Sequence, residues 1–114
     1  MKNEIMNDAA TVANYFDSLI GMFFKILPMY ENKDSTLKVY MQSFFAELSG
    51  FRELVTATEH DGSLVSLEAI LKSLMENIDK PTPDVDVKRE VFKAISICKR
   101  LRSKYGDKGF GDDK

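Results

Sequence analysis

The chain has 114 residues, 44% hydrophobic and 30% charged, with a single histidine and a single cysteine. These values describe one folded domain with its own core; they exclude a disordered chain, an internal disulfide framework and a thiolate or imidazole metal cluster within one copy. The formal net charge of -2 conceals a polarised distribution: residues 1–87 carry 7 basic and 14 acidic side chains, whereas residues 88–105 carry 7 basic and 1 acidic, a basic block on an acidic body.

Asn-Gly hairpin signals and sustained period-two alternation are absent, while four stretches show helical periodicity between capping residues. The predicted fold is all-α, a four-helix antiparallel bundle with helices at about 4–27, 35–60, 64–79 and 84–105. Residues 1–105 make the single domain and 106–114 a flexible tail rich in Gly and Asp.

The first helix contains "SLIGMFFKILPMY", with nine large apolar side chains in thirteen positions. The run is shorter than the 17 to 25 apolar residues, roughly, of a membrane-spanning helix and includes Lys25 and Pro28, so no span is expected. Pro28 is expected to stop or kink the helix, because it biases the preceding residue away from helical geometry. On a helical wheel Asn7, Asn14, Asp17, Ser18, Gly21, Lys25 and Pro28 share a polar sector, while Ile5, Val12, Phe16, Leu19, Phe23, Phe24, Ile26 and Leu27 spread over about 200°, twice an ordinary apolar face. Two readings stay open. Either this helix is the most enclosed of the four, or a flank remains uncovered and binds a partner, with Met22, Met29 and Tyr30 on one side or Met6 and Phe24 on the other. Methionine and aromatic side chains suit such a surface, and self-association into a homo-oligomer is its simplest use.

The second helix is expected to start after Asp34 or Ser35, either able to cap a first turn, and to bury Leu37, Tyr40, Met41, Phe44, Leu48, Phe51 and Val55. Gly62 suits the left-handed residue that closes it. The third places Leu64, Leu67, Ile70, Leu71, Leu74 and Ile78 on a core-facing seam. Thr82 and Pro83 pair as N-cap and first helical residue of the fourth, whose inner face is Val87, Val91, Ala94, Ile95, Cys98, Leu101 and Tyr105 and which Gly106 would close.

Catalytic signatures are scarce. The Glu-x-x-His repeat of di-iron bundles is missing, since Ala57 stands three residues before His60. Phosphotransfer bundles carry a mid-helix histidine, whereas His60 precedes Asp61 and Gly62 near a helix end. "GDKGFG" lacks the strand and helix that a phosphate loop requires. Cys98, on an inner face, fits a structural thiol. No catalytic residue, cofactor or metal is expected.

The outer face of the fourth helix presents Arg89, Lys93, Arg100 and Lys104. These could pair internally with Glu68, Glu76 or Asp79, neutralise phosphates, or meet an acidic protein surface; the sequence pI of about 5.4 lies well below that of a typical nucleic-acid binder. The function expected is that of a small non-enzymatic protein that binds a macromolecule through the apolar face of the first helix and the basic face of the fourth. The alternative is a nucleic-acid-binding regulator. Glu4 and Asp8 oppose a signal peptide, and with the lone Cys98 they place the expected site of action in the cytoplasm. Small chains of this kind include bacterial or phage adaptors, inhibitors and immunity-type proteins; in size, four-helix layout and tail the chain is similar to lactic-acid bacterial bacteriocin immunity proteins, an analogy of architecture.

Overall fold

A computed structural model describes residues 9–54 and 62–110. Four helices are formed: α1 (Ala9–Glu31), α2 (Leu37–Leu54), α3 (Gly62–Asn77) and α4 (Val87–Phe110), with no strand among the described residues. The expected start of the first helix near Glu4, the stretch 55–61 with His60, and residues 111–114 lie outside them.

The helices succeed one another around a bundle in antiparallel pairs. Tyr15 stacks on Phe51 while Phe23 meets Phe44, so α1 and α2 run in opposite directions. Arg52 meets Glu68 while Lys38 meets Asp79, which sets α2 against α3. Phe16 lies against Tyr105 and Phe24 against Phe92, which closes the ring between α1 and α4. The residues expected on the inner faces and described here fill the core, from Phe16, Phe23, Phe44 and Leu48 to Leu67, Leu71, Leu74 and Leu101; Tyr40, Ile78 and Phe24 are the exceptions, the first two packed at its edge and the third exposed. The closest approach is that of α1 to α4.

The helix ends depart from the sequence expectation, each for a local reason. Pro28 does not stop α1, which runs on to Glu31. The proline ring faces solvent, and the buried Ile26 and Leu27 with the half-buried Met29 and Tyr30 hold the turn around it in place. The true stop is at Lys33, whose φ of 53° is left-handed. Its amide donates to the Tyr30 carbonyl at 3.1 Å and that of Asp34 to the Met29 carbonyl at 2.9 Å, the Schellman closure with lysine where glycine is usual. The Asp34 carboxylate then accepts from the amide and hydroxyl of Thr36 at 2.8 and 2.6 Å, which prepares the start of α2 and holds its pKa below the ordinary carboxylate value.

Gly62 opens α3 rather than closing the helix before it, and no described glycine has positive φ. Thr82 and Pro83 do not cap α4. The cap is Asp86, whose carboxylate accepts from the Arg89 amide at 3.1 Å, because the preceding residues are drawn into a tight link by Asn77. Asn77, 5% exposed, is the one buried polar side chain among the described residues; it donates to the Ser73 carbonyl and accepts from the Asp84 amide at 2.7 Å. Finally, α4 continues through Gly106 to Phe110, past the closure expected at Gly106. An interior glycine costs a helix only about 1 kcal/mol relative to alanine, and the buried Tyr105 secures the turn before it.

Asn77→Ala leaves the Asp84 amide without its acceptor in a half-buried link and is expected to lower unfolding free energy by about 1 to 3 kcal/mol in urea denaturation, with the helical signal of the native state unchanged.

Candidate functional site

The two flanks of α1 have different fates. On the α2 side, Met22 and Met29 are half-buried against the core, and the Tyr40 hydroxyl donates to the Met22 carbonyl at 2.8 Å across the seam. Tyr30 is also half-buried and lines a cleft at one end of the bundle with Asp34, Leu37, Lys38, Ile78 and Lys80. The charges of that cleft are largely satisfied within it, Lys38 on Asp79 at 2.8 Å and Lys80 on Asp84 at 2.6 Å. On the α4 side, Phe24 is 49% exposed. Of the four residues expected to form a partner surface, it alone is exposed.

Phe24 is not isolated. Its ring meets that of Phe92 on α4 edge to face, with centroids 5.7 Å apart and planes at 82°, and Phe92 is itself 40% exposed. The residues nearby keep the surface open: a Cβ placed on Gly21, one turn before Phe24, meets nothing within 4 Å. Below the pair, Leu27, Val91 and Ile95 are buried and fix the two helices that carry it. Phe92 was missed in the sequence because it belongs to neither wheel face of the fourth helix; the signal was a large aromatic side chain that the inner-face set leaves over, directly beside Lys93.

Cations of α4 flank Phe92 on its own helix. Successive helical residues turn by about 100°, which places Lys88 and Lys99 beside Phe92 toward α1 and Arg89 beyond it toward the outer surface, followed by Lys93. The internal pairing considered for the basic face is largely taken up elsewhere. Glu68 accepts from Arg52 of α2 in a charged hydrogen-bonded pair, and Asp79 accepts from Lys38 of α2. Arg102 reaches Asp17 of α1 at 2.6 Å, Arg100 donates to the Ser63 hydroxyl at 3.1 Å, and the Lys104 ammonium lies over the Tyr105 ring at 5.4 Å. No carboxylate among the described residues pairs with Lys88, Arg89, Lys93 or Lys99.

Other chemistry finds little support. No group of three or more His, Cys, Asp or Glu able to hold a metal occurs among the described residues. Burial pushes the Cys98 thiol up to about 12, which suppresses the thiolate a nucleophile needs. Burial and the neighbouring Glu47 carboxylate raise the pKa of Tyr15, whose ring is engaged in stacking on Phe51 at 3.8 Å. No described helix is long and apolar enough to cross a membrane. No family model, curated protein or solved structure matches the chain.

Because Arg89 and Lys93 lie among like charges and pair with no carboxylate among the described residues, the double variant Arg89→Gln with Lys93→Gln is expected to melt at the same temperature as the parent or higher. Arg52→Gln, which removes the partner of the sheltered Glu68, is expected to melt lower.

Proposed function

We propose that this protein is a non-enzymatic binding protein whose working surface is the outer α1–α4 face, where the Phe24–Phe92 pair lies within the cation row of α4. The observation that carries the proposal is the exposure of two phenylalanines in mutual contact beside cations that pair with no carboxylate among the described residues. Solvent-exposed aromatic pairs are poorly used in a surface that only has to stay hydrated, and a run of like charge destabilises the fold that carries it. Both costs are explained by a partner that covers the rings and supplies negative charge.

This joins the two surfaces expected from the sequence into one and shifts its apolar part from Met22, Met29 and Tyr30 to Phe24 and Phe92. The roles of adaptor, inhibitor or immunity-type protein are all compatible with such a face, and the buried single thiol suits the reducing cytoplasm. A second copy of the chain is the other candidate occupant of the face.

A photocrosslinking side chain placed at 92 is expected to yield covalent adducts in the native host, and the same side chain at 39, where Val39 is 64% exposed on α2, none. Equal adduct formation at the two positions, or none at 92, contradicts the proposal.

A further inference from the structure

We infer that the α1–α4 face binds single-stranded nucleic acid, with Lys88, Arg89, Lys93 and Lys99 on the phosphates and the Phe24–Phe92 pair offering a stacking platform for unpaired bases. The inference rests on the working surface proposed above and names its partner class.

Three observations choose this partner over an acidic protein, an anionic membrane or a duplex. First, of the four α4 cations assigned to this face, none of which pairs with a carboxylate among the described residues, three are lysines. Lysine is depleted from protein–protein interfaces, where arginine and apolar side chains dominate, but it serves well against phosphate. Secondly, among the described residues the large exposed apolar side chains of this face are two aromatic rings; Val39 and Val65, the others that are exposed, lie on α2 and α3. A membrane-seated helix presents a broad apolar face to the acyl boundary, whereas base stacking requires only accessible rings. Thirdly, α4 is packed between α1 and α3, and the rings that would read the ligand come from both α1 and α4. Two helices side by side, each about 10 to 12 Å wide, do not enter a major groove about 12 Å wide. A single strand laid across the face meets no such limit.

The scale is consistent. Lys88 and Lys99 are eleven residues apart, about 16 Å along the helix, a length suited to about four nucleotides, at the short end of single-strand sites. Carboxylates border the α1 side of this face, Asp17 paired with Arg102 and the exposed Glu31 two turns beyond Phe24, so the phosphates are assigned to the α4 side of the rings.

Fluorescence anisotropy on the whole protein tests the inference, with labelled oligo-dT and oligo-rU of about 20 nucleotides, a duplex of equal length, polyglutamate, and vesicles containing phosphatidylserine. Single strands are expected to bind best and, with four phosphates neutralised, to lose affinity about 50-fold between about 50 and 200 mM salt. Phe92→Ala is expected to weaken single-strand binding at least about fivefold at unchanged salt dependence, and Phe92→Tyr to restore it. Lys93→Gln with Lys99→Gln is expected to flatten the salt dependence and, being exposed on both counts, provides the decisive result should Phe92→Ala not fold.

Duplex binding as tight as single-strand binding and indifferent to Phe92→Ala overturns the inference. So does binding of polyglutamate or vesicles without the single strands, or no binding at low salt. If adducts at position 92 persist in those cases, only the partner class fails; if they are absent as well, the working surface fails with it.

Discussion

The packing of α1 against α4 is the contact around which the bundle is organised. The apolar sector of α1 is too wide for one neighbour, so α2 covers one side of it and α4 the other, with Phe16 at the meeting point. That ring is wholly buried, set edge to face on Phe51 of α2 at 5.8 Å and tilted against Tyr105 of α4 at 5.6 Å. Small buried side chains, Ala13 on α1 and Ala94 and Cys98 on α4, let the two backbones come close. Full burial of side chains such as Phe16, Phe23, Ile26 and Leu101 contributes about 1.5 to 3 kcal/mol each before conformational entropy is set against it. A seam of this kind tolerates little rotation of either helix, and it therefore fixes what each helix shows outside.

What the seam leaves outside is uneven. On the α2 side of α1 the apolar flank is closed by Tyr40, Phe44 and Phe51, with a hydroxyl-to-carbonyl hydrogen bond across it. On the α4 side the sector ends in the exposed Phe24, whose ring meets that of Phe92. Charge is divided in the same way. Glu68 of α3 and Asp79 just beyond its end are matched by Arg52 and Lys38 of α2, which takes two of the three carboxylates expected to pair with the α4 cations. One face thereby combines exposed rings with positive charge, and the proposed function follows from that coincidence.

Most of the architecture was legible in the sequence because it rests on helical periodicity. The inner faces of α3 and α4 and most of α2 were readable from spacing alone, since a core-facing residue must recur with the turn of its own helix. The ends were less legible. Pro28, Gly106 and the Thr82–Pro83 pair carry local tendencies of about 1 to 3 kcal/mol, which the packing around Leu27, the anchoring of Tyr105 and the Asn77–Asp84 link outweigh. The candidate site was half legible. Phe24 and the basic row could be seen as features of separate helices, but the rotation that brings Phe92 to Phe24, and the diversion of Glu68 and Asp79 to α2, depend on which helices become neighbours and at what register.

The central claim is that the outer α1–α4 face is the surface with which this protein works. Backbone amide shifts recorded while the protein is titrated with a short single-stranded oligonucleotide test it most directly. Perturbations are expected to concentrate between residues 20 and 28 of α1 and between 88 and 100 of α4, leaving α2 and the outer face of α3 unmoved. Shifts centred on α2 and α3, or on the cleft around Tyr30 and Lys38, would contradict the account.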